Sequence, residues 1–300
     1  VGSLDDSLYF SKKTDSLEFY VKKGIAMGCF VYGRCIEHKL GDVNANEDPN
    51  YWYKRAVYFD MDTSQYLQNL IPYGANRVEL CSNLIEGGCT PSLGLAQYIK
   101  NKLNIPVFVM IRPRGGDFLY SDDEFEVMKL DIKEFKKSNV DGFVFGILKS
   151  DGNIDKDRNQ ELVDLCKPQS VTFHRAFDVC VDGHQALEDI ISLGFDRILT
   201  SGRENSCLEG LPMLASLVEK AGDRIIIMPG GGITEKNFLR IKDGCNAKEY
   251  HWSARSTKDS GMYHRRSDIY MGSPLYPSEY SIKVCSKDRI DKLRAILSCT

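Results

Sequence analysis

The chain has 300 residues, of which 42% are hydrophobic and 27% charged, and its formal net charge is −3. That balance belongs to a globular protein with room for one large core. It carries no basic block, so nucleic acid is not an expected partner.

Residues 1–55 are polar, with Lys12, Lys13, Lys22 and Lys23, and run into a turn-like Glu47-Asp-Pro-Asn stretch. They read as an extension outside the main domain, with a short helix or hairpin around 17–35. Cys29, Cys35 and His38 within it read as incidental. The apolar stretch 24–33 falls short of the ~20 residues of a membrane span. It also lacks the flanks of a cleavable signal. A cytoplasmic protein with no membrane partner is expected.

From residue 56 one pattern repeats. Short β-branched or aromatic runs occur at 56–61, 77–81, 107–111, 142–145, 171–174, 197–200, 224–228 and 249–252. Helical apolar spacing separates them, as in Phe125, Met128, Ile132 and Phe135, or Leu187, Ile190, Ile191 and Leu193. A helix is predicted over 234–241 and a last one over 287–297. Eight alternations argue for a parallel sheet with crossover helices. Residues 56–300 match the ~250 residues of a closed (β/α)8 barrel, the TIM barrel. The competing open sheet would show a Gly-rich turn after its first strand. Here the glycine cluster follows the seventh.

In such a barrel, polar residues at strand C-termini face the working mouth. They gather there in this sequence: Glu79 and Cys81 after the second run, Arg112 and Arg114 after the third, His174, Arg175 and Asp178 after the fifth. Ser201 and Gly202 follow the sixth, Gly230, Gly231 and Gly232 the seventh, and Ser253 and Arg255 the eighth. Buried charges are costly unless paired. Two readings are therefore open: structural ion pairs around the mouth, or a site. As a site, His174 with Glu79 would form an acid–base pair, and Arg112 and Arg175 would stabilise negative charge, so these four are the catalytic candidates. Three consecutive glycines let backbone N–H groups face an anion. Arg114, Ser201, Gly202, Gly230, Gly231, Gly232, Ser253 and Arg255 are accordingly the ligand-binding candidates. The 256–280 segment, rich in Ser, Gly and Tyr, reads as a long loop able to cover the mouth.

The ten cysteines form no CxxC pair and no zinc-like Cys/His cluster. In a chain of this length they read as reduced and packed like small apolar side chains. Cys81, at the mouth, is either such a thiol or a soft ligand for Cu(I).

Six stretches carry a resemblance: Arg77-Val-Glu-Leu-Cys-Ser-Asn, Arg112-Pro-Arg-Gly-Gly-Asp, Thr172-Phe-His-Arg-Ala-Phe-Asp, Leu199-Thr-Ser-Gly, Met228-Pro-Gly-Gly-Gly-Ile and His251-Trp-Ser-Ala-Arg. In this order they resemble the CutC copper-homeostasis family, and Ser256-Thr-Lys-Asp-Ser-Gly-Met is similar to its animal-type members. The resemblance covers the chain from about residue 56 and leaves out 1–55. It implies a (β/α)8 barrel, copper as Cu(I) bound through cysteines, and a homodimer or homotetramer. One position departs from the family. Where relatives have a Glu and a Cys on the first strand, this chain has Tyr58 and Asp60. A two-thiolate site from Cys81 and that position cannot form within one chain. Two functions remain open: a copper-homeostasis protein binding Cu(I) at Cys81 with another soft ligand, and an enzyme acting by acid–base chemistry on a small polar or anionic metabolite.

Overall fold

The computed structural model describes residues 57–61, 75–266 and 281–297. The expected extension, 1–55, lies outside the described residues.

The apolar runs form eight parallel strands: β1 (Val57–Met61), β2 (Ala75–Leu80), β3 (Val107–Met110), β4 (Gly142–Phe145), β5 (Ser170–Phe173), β6 (Arg197–Thr200), β7 (Ile226–Pro229) and β8 (His251–Trp252). They pair in one curled sheet of order β7-β6-β5-β4-β3-β2-β1-β8. An isolated parallel bridge joins Gly230, just after β7, to His251.

Five helices follow strands as crossovers: α1 (Leu93–Lys102), α2 (Asp122–Lys137), α3 (Lys156–Cys166), α4 (Gly183–Ser192) and α5 (Leu211–Ala221). Next come α6 (Phe238–Cys245) and the final α7 (Lys287–Leu297). Local chemistry sets their starts. Ser121 accepts from the Glu124 N–H while Glu124 reaches back to the Ser121 N–H, a capping box that fixes α2. Asp155 and Asp182 cap α3 and α4 in the simpler way. The helix predicted over 234–241 begins later, at Phe238, because Asn237 competes with it. Its side chain accepts from the Thr234 N–H at 2.7 Å and donates to the Gly232 carbonyl at 2.9 Å, holding 234–237 as a turn.

Strand alternation sorts the side chains into two environments. Val78, Leu80, Val107, Val109, Phe143 and Phe145 join Ile99, Met128, Ile132, Leu162 and Leu187 in the main core between sheet and helices. A smaller apolar cluster, Cys81, Leu84, Phe108, Met110 and Val144, forms on its own. Arg77, Glu79, Thr172, His174, Glu249 and His251 are buried polar residues of the same strands and their ends.

The segment after β8 departs from the expected loop. It opens with β9 (Arg255–Asp259), which pairs antiparallel with β10 (Ser281–Cys285). The expected cover over 256–280 is thus partly a two-stranded ribbon, and 267–280 lies outside the described residues. Among the described residues no helix is long and apolar enough to cross a membrane.

Candidate functional site

A cavity of about 540 Å³ lies at the C-terminal ends of the strands. That volume suits a small metabolite. Its walls come from β2 (Glu79), the end of β3 (Met110, Arg112), the turn after β5 (His174, Arg175, Asp178), the glycines after β7, and the stretch from His251 to Arg255.

Glu79 sits on the floor, 2% exposed. Its carboxylate lies 3.2 Å from His251 Nε2 and 3.8 Å from Arg77. Burial works to raise its pKa, but the charges of His251, Arg77 and Arg197 outweigh burial and hold the group below the usual carboxylate range. Beneath it, Arg77 and Arg197 share Glu249 at 3.1 and 2.9 Å, and both guanidiniums stack over Phe108. The imidazole that pairs with Glu79 is therefore His251, which sequence reasoning did not assign. The pairing depends on β8 lying beside β1, and β1 beside β2: His251 is opposite Tyr58, and Asp60 is opposite Glu79.

His174 also lines the cavity, 3% exposed. Its Nδ1 accepts from the Ala176 N–H at 3.3 Å, and its Nε2 has no hydrogen-bond partner among the described residues. Gly146 makes the ring's place, since a Cβ there would stand 2.8 Å from Nδ1. The His174 pKa is pushed down to about 3, first by burial and then by the Arg112 charge. At neutral pH the ring is neutral.

Arg112, 4% exposed, donates at 2.8 Å to the carbonyls of Glu86, Gly88 and Gly116 and stacks over Phe118. It pins two loops while lending charge to the mouth. Arg175 reaches Asp178 and Ser201, each at 2.7 Å, and lies against Gly231, where a Cβ would stand 3.3 Å from its Cζ. The buried Asp178 carboxylate also accepts from the Ser201 and Arg203 amides at 3.1 Å, so one acid fixes both the arginine and the turn after β6. Gly231 and Gly232 have φ of +117° and +70°; the parallel Gly230–His251 bridge engages the Gly231 amide, while the Gly232 N–H has no hydrogen-bond partner among the described residues. Arg255 donates to Ser253 at 3.1 Å, and both line the cavity. Arg289 of α7, not foreseen from the sequence, completes the rim, donating at 2.8 Å to the Arg255 carbonyl. Its only sequence signal was a charged start to the last helix.

Three expected anion-pocket residues stand apart from the lining. Arg114 turns away because Glu124 and Asp117 hold it at 2.6 and 3.0 Å. Ser201 is fully buried in the Asp178 network. Gly202 packs backbone to backbone, with a Cβ there falling 2.3 Å from the Gly210 carbonyl. Cys81 is 1% exposed and lies behind Met110, which does line the cavity. Burial raises the thiols of Cys166, Cys180, Cys207 and Cys245, so they stay protonated and inert at neutral pH. Cys81, Cys89, Cys166, Cys180, Cys207 and Cys245 are free thiols.

Fold and site together define a parallel α/β protein with its cavity outside the carboxyl ends of the strands. The CutC family profile matches residues 57–256, and the chain belongs to that family. It is 56% identical over 223 residues to proteins of Mus musculus and Homo sapiens, each named copper homeostasis protein cutC homolog. The match covers 74% of this chain and 82% of theirs. Among solved structures it is similar to a CutC protein of Streptococcus agalactiae, with 36% identity and a TM-score of 0.63, covering 66% of this chain and 98% of that one. An aldolase, QR15, matches with 12% identity and a TM-score of 0.50 over 67% of this chain and 91% of its own, a likeness of fold alone.

Proposed function

We propose that the chain serves copper homeostasis, as the names of its relatives say, through a mouth that holds a small anionic metabolite and moves a proton on it. The observation that carries this reading is the positive-φ glycine turn, whose Gly232 amide has no partner among the described residues, with the Arg175 guanidinium against Gly231. Amides in such a turn form an anion-binding concavity, and arginine adds charge and a fork geometry. Arg255 and Arg289 add positive charge at the rim. Glu79 and His251 supply the carboxylate–imidazole pair suited to proton transfer. Calorimetric titration of inorganic phosphate into the protein tests this. Binding that weakens at least about tenfold in Arg175→Gln supports the reading. Absence of binding in the wild type refutes it.

The scaffold proposed for this site is a closed (β/α)8 barrel spanning 56–300, with 1–55 outside it. The Gly230–His251 bridge supports closure. The assembly proposed is a homodimer or homotetramer in the cytoplasm, resting on the family.

A second reading, Cu(I) as cargo, is favoured by a different observation. Cys81 and Met110 share one small cluster, and a Cβ on Gly88 would meet Cys81 Sγ at 3.4 Å and Met110 Cε at 3.6 Å. A thiol and a thioether are soft donors that fit Cu(I). Anaerobic Cu(I) titration against a chromophoric competitor tests it. Loss of binding in both Cys81→Ser and Met110→Leu supports the reading, and unchanged binding in both refutes it.

A further inference from the structure

The anion-holding residues and the Glu79–His251 pair leave one cavity-lining group without a task. His174 is buried, and its ring position is determined on every side. Phe118 meets it edge-on at 4.9 Å between centroids, Phe173 at 6.1 Å, and Gly146 leaves no room for a side chain beneath it. Its Nδ1 accepts a backbone hydrogen bond, so the neutral ring carries its proton on Nε2. That donor has no partner among the described residues, although a buried unmade hydrogen bond is destabilising. A donor held unpartnered at the wall of a cavity awaits an acceptor from the ligand.

We infer that the mouth takes a small phosphorylated carbonyl compound whose carbonyl oxygen accepts a hydrogen bond from His174 Nε2–H. This rests on the anion-binding reading above. The phosphate lies against Gly231, Gly232 and Arg175. The reaction class is proton abstraction beside the carbonyl. The C–H bond breaks and its proton passes to the Glu79 carboxylate, held ionised beside His251. The C–H electron pair becomes the C=C bond of an enolate, and the C=O π pair moves onto oxygen. The resulting oxyanion is held by the Nε2–H of His174. Return of the proton from Glu79 to either carbon closes the cycle with no other reactant. His174 donates and does not accept in this scheme. Its surroundings enforce that role: burial and then the Arg112 charge oppose protonation and outweigh a backbone hydrogen bond and the Glu79 charge, which pull the other way. A neutral imidazole is a weaker acid than imidazolium and does not lose its Nε2 proton to the oxyanion.

Two measurements on the full-length chain test this. Long-range 1H–15N spectra, with His174→Gln used for assignment, should show His174 as the Nε2–H tautomer from about pH 5 to about pH 8. A ring that becomes doubly protonated near pH 6, or that carries its proton on Nδ1, overturns the inference. The second uses two probes, inorganic phosphate and phosphoglycolohydroxamate, a phosphorylated enolate mimic. The mimic should bind at least about tenfold more tightly than phosphate. His174→Ala should erase that advantage without changing phosphate affinity, and His174→Gln, which retains an N–H donor, should keep part of it. If phosphate binds and the mimic is no better, or keeps its advantage in His174→Ala, the assignment of His174 is wrong while the anion site stands. If neither probe binds, the anion reading fails and this one with it.

Discussion

Mild acid should destabilise this protein through one side chain. His174 is held neutral, with a pKa of about 3 against an ordinary value of 6.5. A histidine whose folded pKa is depressed contributes its full stability above 6.5 and loses it as the pH falls through 6.5 toward 3, because the unfolded chain takes up a proton that the folded one refuses. In that window stability falls by about 1.4 kcal/mol per pH unit, so lowering the pH from about 7 to about 5 removes about 2 kcal/mol. Glu79 does not interfere there. Its folded pKa is lowered, so its contribution is present above the ordinary carboxylate value and is lost only at more acid pH. Glutamine in place of His174 keeps an amide acceptor and donor but has no titration in this range. Urea unfolding followed by far-UV circular dichroism, at several pH values between 5 and 7, gives the stability of both proteins. The wild type should lose about 2 kcal/mol more than His174→Gln across that interval. Equal losses would refute the claim that the imidazole is buried neutral.

Gly231→Ala, forced into φ +117° and against Arg175, should weaken inorganic phosphate binding at least about tenfold in calorimetry while near-UV circular dichroism stays native. Gly202→Ala should instead lower global stability by about 3 kcal/mol in urea, because its Cβ would stand 2.3 Å from the Gly210 carbonyl and neither backbone can yield. Restoring a thiol on the first strand with Asp60→Cys should tighten Cu(I) binding in competitor titration, and Cys81→Ser in that background should remove the gain. Light scattering should give two or four times the 33.9 kDa of one chain, and a monomer across micromolar concentrations would contradict the proposed assembly.

Strands were legible where an apolar run is bounded by polar or small residues. Gly142–Phe145, Arg197–Thr200 and the helix Lys287–Leu297 fall where the spacing placed them. The shifted start of α6 was not legible, because Asn237 serves the turn through two side-chain hydrogen bonds that spacing does not register. The β9–β10 ribbon was missed because Arg255, Ser256, Thr257 and Lys258 show no apolar alternation, and its partner lies beyond a long intervening segment. At the mouth, residue type and position after a strand singled out Glu79, Arg112, His174 and Arg175, all of which line the cavity. Partnership was another matter. Which imidazole meets Glu79 follows from the order of strands across the sheet, and Arg114 is turned outward by Glu124, itself committed to the cap of α2.

The charged layer under the cavity has a bearing on how the chain must be completed. Arg77 belongs to β2, Arg197 to β6, and the carboxylate they share, Glu249, arrives only at the approach to β8. A fragment ending before residue 249 could pair seven of the eight strands and would still bury two guanidiniums deprived of that common counter-ion. Breaking such a pair on one side is destabilising by several kcal/mol. Nascent or truncated chains are thereby denied a comfortable resting state, and the last strand acts as a checkpoint for assembly: the sheet becomes secure only when the sequence that finishes the mouth has also arrived.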